Sequence, residues 1–262
     1  MSVSPPTVDS APVSPTSQAG RLEEDQVRAM FDRIAALYDR MNTVMTAGLH
    51  RNWRRRAAEL AQVAPGDRVL DVATGTGDLA LELAARVAPG GEVVGIDFSQ
   101  RMLEVARAKA RTSGQADVTV SFQAANALAL PFETNEYAAA TVGFGARNFA
   151  HLERGLVEMV RVVRPGGRVV VLEITTPRRP PLSTFFELWF DRVVPVVGRL
   201  AGDAAAYTYL PSSVKRFPGP EQLAECMARS GLCDVRYLVT GGGIVALHVG
   251  VVKPDASRED VR

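Results

Sequence analysis

Apolar residues recur along this chain with two different periods, and the two alternate regularly through its central half. Between residues 23 and 38, Val27, Met30, Phe31, Ile34 and Leu37 fall on one face at helical spacing. Residues 38–50 are less regular, and 53–63 reads as a second helix, stopped by Pro65-Gly66. Short apolar runs then predict strands at 68–73, 92–97, 118–123, 137–144 and 168–174. Amphipathic stretches between them predict helices at 77–87, 101–113 and 152–163, with Ser99 placed as an N-cap. Pro89-Gly-Gly and Pro165-Gly-Gly mark turns. Repeated βα units imply an α/β protein whose mostly parallel sheet carries helices on both faces, with ligands at the strands' carboxyl ends.

Past Glu173 the alternation stops. Residues 182–200 are apolar and aromatic, 220–230 reads as a helix, and strands at about 233–240 and 244–252 flank a Gly triplet as a terminal hairpin. One domain over 21–255 is expected, with 175–217 as an insertion forming a lid over the sheet's open end. Residues 1–20, rich in Ser, Pro, Thr, Ala and Val with Asp9 as their only charge, read as a disordered tail and not a secretory signal, and 256–262 as a flexible end.

Composition narrows the function classes. A net charge of +1 over 262 residues gives no global field for nucleic acid. The 27 Arg against 3 Lys reflect genome base composition more than chemistry. Cys226 and Cys233 form neither a CxxC nor a disulfide framework, so a reducing cytoplasm is the simplest home. His50, His151 and His248 have no ligand spacing, and no metal site is expected. No apolar run is long enough to span a bilayer.

The chemistry concentrates in Arg68-Val-Leu-Asp-Val-Ala-Thr-Gly-Thr-Gly-Asp-Leu-Ala80, an apolar strand running into a turn with Gly75 and Gly77 and then a helix. A second strand ends in Asp97, 20 residues past Gly77. Glycines let backbone approach a nucleotide ligand, and an acid at the second strand's end accepts hydrogen bonds from ribose hydroxyls. A nicotinamide dinucleotide is disfavoured. Asp71 lies inside the first strand, Asp78 would repel a pyrophosphate at its helix N-terminus, and no second mononucleotide half follows. S-adenosylmethionine, a sulfonium with no phosphate, suits these acids: they can hold its ammonium end, and Asp97 its ribose. Phe98 or Met102 would pack on the adenine, with Asn126-Ala127 near its amino group. Blander readings stay open: Asp97 as a helix-entry carboxylate and Asn126 as a turn former.

Several longer motifs sharpen this: Phe31-Asp-x-Ile-Ala-x-x-Tyr38-Asp-x-Met-Asn42, Gly48-Leu-His-Arg-x-Trp53, Asn126-Ala-Leu-x-Leu-Pro-Phe132, Gly143-Phe-Gly-x-Arg-Asn148 and Tyr207-x-Tyr-Leu-Pro-x-Ser213. With the glycine loop they run in order over about residues 25–253, and the chain resembles the menaquinone/ubiquinone biosynthesis C-methyltransferase family. The resemblance implies a class I, Rossmann-like methyltransferase fold with a seven-stranded sheet and an antiparallel terminal strand. It further implies S-adenosylmethionine held by Thr74, Asp97, Asn126 and Ala127. The family often has Ser where this chain has Gly143, which leaves only backbone contact there.

The implied reaction methylates a ring carbon of a prenylated hydroquinone, demethylmenaquinol or a benzoquinol precursor of ubiquinone. In-line alignment, stabilisation of charge on the ring oxygen and removal of the ring proton are then required. Arg147 is the first candidate for charge stabilisation and Asn148 for a hydrogen bond to the ring oxygen. Tyr38, Asp39, Asn42, Tyr207 and Tyr209 are candidates for base or ring positioning. His50, beside Arg51, Arg54, Arg55 and Arg56, reads as part of a solvated basic face. That face and the apolar 182–200 stretch suggest peripheral contact with an anionic membrane. Another small aromatic acceptor, a nicotinamide-dependent oxidoreductase and a non-catalytic binding module are the competing readings; a homodimer is left open.

Overall fold

The computed structural model describes residues 24–177, 180–189, 192 and 204–254. The predicted tail at 1–20, the end at 256–262 and part of the predicted lid lie outside these residues. Two helices lead, α1 (Glu24–Thr46) and α2 (Leu49–Leu60). There follow β1 (Arg68–Val72), α3 (Asp78–Val87), β2 (Glu92–Asp97), α4 (Gln100–Thr112), β3 (Thr119–Ala124), β4 (Tyr137–Gly143), α5 (Leu152–Val162) and β5 (Val163–Ile174). After these come α6 (Leu182–Leu188), α7 (Ala204–Arg216), α8 (Pro220–Arg229), β6 (Leu232–Thr240) and β7 (Val245–Val252).

The seven strands form one sheet in the order β3-β2-β1-β4-β5-β7-β6. The first five are parallel, and β7 runs antiparallel between β5 and β6. Sequence order reverses between β1 and β4, so a crevice opens at their carboxyl ends, where ligands of open α/β sheets bind. Val69, Leu70 and Val72 of β1 are fully buried because helices cover both faces. One core packs β1, β4 and β5 against α5 and α8 through Leu70, Leu156, Met159 and Met227. The other packs them against α2, α3 and α4 through Ala57, Leu83, Leu103 and Leu172.

Two local expectations are corrected. The helix expected to lose regularity at residue 38 continues to Thr46. The Thr43 and Thr46 hydroxyls bond back to the carbonyls of Asp39 and Asn42, so these polar residues are absorbed by the helix. Gly48, at φ 78°, then turns the chain into α2. The turn expected before the fifth strand lies within it: Tyr137 pairs with Val163 and Ala139 with Arg168, so residues 164–167 form a bulge. Ser99 does cap α4, its hydroxyl accepting from the Met102 amide at 3.1 Å.

Candidate active site

Strand β1 delivers its last side chains to the crevice and must then turn away sharply. Gly75 (φ 57°) and Gly77 (φ 82°) make that turn in the left-handed region. Their roles differ. A Cβ on Gly75 would meet nothing within 4 Å, so this residue faces open space; a Cβ on Gly77 would lie 2.9 Å from the Phe122 ring. Gly75 lines the crevice and Gly77, expected there too, does not: it lets α3 pack closely.

Asp97 ties the ends of β1 and β2 together. Its Oδ2 accepts from the Gly75 amide at 2.8 Å and its Oδ1 from the Ser99 amide at 2.9 Å. Asp71 accepts from the hydroxyls of Thr74 and Thr141, both at 2.6 Å. Burial pushes both carboxyls up to about 6, against the lowering effect of these hydrogen bonds. The cavity they border holds about 360 Å³ and is also lined by Thr74, Phe98, Met102, Asn126, Ala127 and Gly143. The Asn126 Oδ1 accepts from the Leu128 amide at 2.8 Å, so Asn126 also builds its own turn.

Helix α1 roofs this cavity. The Ser99 hydroxyl donates to Asp32 at 2.6 Å, and the Thr76 hydroxyl donates to Asp39 at 2.6 Å. Lys109 bridges Asp39, at 2.9 Å, to Asp78. Asp78, in the first turn of α3, also pairs with Arg54 at 3.0 Å. Burial works against its charge, but Arg54 and Lys109 hold its carboxyl below the usual range.

The solvated basic face expected on α2 is only partly there. Arg51, Arg55 and Arg56 are exposed, but His50 and Arg54 are buried. Arg54 has only donors, so His50 Nδ1 accepts from it, and His50 Nε2 bonds to Thr43 Oγ1 at 3.2 Å. Burial, then the Arg54 charge, lowers the His50 pKa, which keeps the ring neutral. Both ring nitrogens are engaged, which disfavours it as a base.

A second cavity of about 350 Å³ lies beside the first. Met30, Ile34, Met41 and Met45 of α1 line it with Trp53, Phe186, Trp189, Leu210 and Ile244. Phe31, Tyr38 and Phe144 line both cavities and partition them. Arg147 borders the apolar cavity and Asn148 the polar one. The Tyr209 hydroxyl joins the two sides by donating to Asn148 Oδ1 at 3.1 Å. Burial raises the Tyr209 pKa although Arg147 opposes it. The Tyr207 side chain lies outside the described residues.

Arg147 is 6% exposed and pairs with Glu173, itself 2% exposed, at 3.0 Å. Burial disfavours the charged guanidinium, yet Glu173 and the nearby Tyr38 and Tyr209 keep its pKa above the ordinary value. Glu173 was not among the residues expected at the site. Its signal in the sequence is an acid inside the apolar run Val169-Val-Val-Leu-Glu-Ile174, the same anomaly as Asp71 in β1. The Asp39–Lys109 link carried no such signal, since it joins residues 70 apart.

A sheet of this order, with a glycine turn after β1 and an acid ending β2, defines the class I methyltransferase fold. A solved S-adenosylmethionine-dependent methyltransferase from Thermotoga maritima, described as a possible histamine N-methyltransferase, shares it with a TM-score of 0.59 at 20% identity, covering 86% of this chain and 99% of that one. The chain belongs to the ubiE/COQ5 methyltransferase family, whose model matches residues 19–252. It is 48% identical over 222 residues to the demethylmenaquinone methyltransferase of Thermus thermophilus, covering 84% of this chain and 99% of that one. It is 39% identical to the ubiquinone/menaquinone biosynthesis C-methyltransferase of Geotalea uraniireducens, covering 86% and 96%. The family resemblance and the expected architecture are thus borne out, and the chain is a methyltransferase.

Proposed function

We propose that this enzyme transfers a methyl group from S-adenosylmethionine to a ring carbon of demethylmenaquinol. The observation that carries this reading is the pair of cavities, one bearing polar and acidic groups at the strand ends and one almost wholly apolar, separated by Phe31, Tyr38 and Phe144. Such a layout suits a water-soluble donor on one side and a prenylated ring on the other. The relatives named for demethylmenaquinone support the naphthoquinol as acceptor.

The residues of the polar cavity fit the donor. Asp97 offers a carboxylate to ribose hydroxyls, Asp71 and Thr74 polar groups to its amino-acid end, and Phe98 and Met102 apolar surface to adenine. Asn126 and Ala127 border the adenine edge, Gly75 admits close backbone contact, and Gly143 lines the same cavity. S-adenosylmethionine, when bound, supplies an electrophilic methyl on a sulfonium. The protein's part is to align the ring carbon, exclude water and manage the ring's charge and proton. Arg147 stays charged and donates to the ring oxygen, favouring its phenolate character. Asn148 and Tyr38 position the ring from the partition side, and Tyr209 fixes Asn148. The hydroxyl of Tyr207 is a further candidate for holding the ring.

Val44 and Leu49, 65% and 48% exposed, lie at the rim of the apolar cavity, and the exposed Arg51, Arg55 and Arg56 follow on α2. These features support peripheral docking on an anionic bilayer, from which the substrate's tail would enter. No described helix is long and apolar enough to cross a membrane. Flotation with anionic liposomes should carry the protein upward; protein left wholly in solution would refute docking.

Methyl transfer from labelled S-adenosylmethionine tests the central reading, with demethylmenaquinol and the matching demethylated benzoquinol as acceptors. Product on the naphthoquinol at the higher rate is expected. A faster benzoquinol reaction would move the assignment to ubiquinone synthesis, and no product on either ring would overturn it.

A further inference from the structure

Arg147 has no freedom of its own to choose where its charge sits. It follows β4 in a single turn of 3-10 helix (Ala146–Asn148), and its side chain is buried against the end of β5. There Glu173 receives three donors. Its Oε1 accepts from the Arg147 amide at 3.1 Å, and its Oε2 accepts from Arg147 Nη1 and from the Ile174 amide, both at 3.0 Å. The carboxylate thus grips both the backbone and the guanidinium of one residue, while its own backbone stays in the sheet, with Glu173 paired to Ala246 of β7. Arg147 Nη1 is further held by the Phe144 carbonyl. By contrast, Arg147 Nε is buried and has no partner among the described residues. A buried donor left unpaired is costly and calls for a ligand or water to satisfy it.

We infer that Glu173 is the positioning residue of the methyl acceptor site: it fixes Arg147 through one edge and leaves the rest of the guanidinium for the acceptor's ring oxygen. This rests on the proposed acceptor reading. The ion pair is net neutral, so the apolar cavity can hold a cationic donor without repelling a positively charged sulfonium nearby. A lone buried arginine would lack that property, and one free to swing would lose alignment, to which catalysis is sensitive.

A double-mutant cycle tests the inference: wild type, Glu173→Gln, Arg147→Met and the double variant, each measured for kcat and KM on reduced demethylmenaquinone and for donor affinity by calorimetry. Glu173→Gln should lower kcat roughly 10–100-fold, at or below the about 10²–10³-fold lost when a charge-stabilising donor is removed outright, with S-adenosylmethionine affinity changed less than about twofold. In the Arg147→Met background, Glu173→Gln should cause no further loss, because the residue through which it acts is gone. The double variant removes both charges together and is the one expected to fold best, so its comparison with Arg147→Met decides the matter even if Glu173→Gln is unstable. A further fall in kcat of tenfold or more in that background would overturn the inference, as would a Glu173→Gln enzyme with normal kcat and only a lower melting temperature. A wild-type enzyme that methylates neither quinol would sink the acceptor reading and the inference together; an active wild type with additive losses would sink the inference alone.

Discussion

The two cavities are built by different means. The floor of the polar one is made by main chain: the turn after β1, the end of β2 and the loop after β3, stitched by Asp97 to the amides of Gly75 and Ser99 and by Asp71 to the hydroxyls of Thr74 and Thr141. The apolar one is made by side chains from α1, α2, the 186–189 segment, α7 and the start of β7, which lie far apart in sequence. Main-chain turns admit few solutions, so the first cavity is narrowly specified by a few residues at fixed spacing. The second rests on the summed packing of Met, Trp, Phe and Ile and can be reshaped by many substitutions.

The largest effect should come from the stitch itself. Replacing Asp97 with Ala removes an acceptor of two backbone amides and the proposed ribose contact. Two charged hydrogen bonds to the ribose hydroxyls are worth about 1.5–3 kcal/mol each, so donor affinity should fall about 100-fold or more by calorimetry. Unchanged affinity would mean that the polar cavity has been assigned to the wrong ligand.

The glycine pair offers a finer cut. Gly77→Ala meets both a positive φ and the Phe122 ring. It should destabilise the fold by about 1–3 kcal/mol, read as a lower melting temperature. Gly75→Ala bears the φ strain only, at about 1 kcal/mol, but puts a methyl where the donor should approach. It should hurt affinity more than stability. The reverse ranking would show that the turn faces the other way.

Acidity should also distinguish the regions. Asp71 and Asp97 titrate near 6 when folded, above the ordinary 3.8. A carboxyl raised by folding adds stability that is full below the unfolded pKa and is lost as pH rises through the folded one. The ligand-free protein's melting temperature should therefore lose this contribution between about pH 4 and pH 7, and Asp71→Asn should flatten that slope. An unaltered slope in the variant would contradict the burial assigned to Asp71.

The mildest change belongs to the rim of the apolar cavity. Val44 is 65% exposed, so Val44→Asp should fold normally. It should raise KM for a long-tailed quinol about threefold to tenfold, through one poorly placed charge, and leave a short-tailed analogue unaffected. Equal effects on both would argue that the tail does not pass Val44.

This contrast in construction explains what was legible in the sequence. The βα alternation, the Gly75 turn, Asp97 at the end of β2 and the cap at Ser99 are local signals, and the sheet follows from them. The division of labour between Gly75 and Gly77 was not legible, because it depends on Phe122 arriving from β3. The burial of His50 and Arg54 was hidden too, since four arginines within six residues look solvated until Asp78 is seen to compensate one of them. Glu173 was visible as an acid in an apolar strand, but its partner lies 26 residues away, just past the end of the neighbouring strand β4.

Helix α1 roofs the polar cavity through Asp32 and Asp39, and its other side supplies Met30, Met41 and Met45 to the apolar one. With the proposed assignment of the two cavities, donor and acceptor share a wall. Whichever arrives first and steadies that wall spares the second part of the ordering cost, and thermodynamic linkage makes the gain reciprocal. Binding order in this enzyme is then a property of one helix: measured donor affinity should rise in the presence of a quinol by the same factor that quinol affinity rises in the presence of donor.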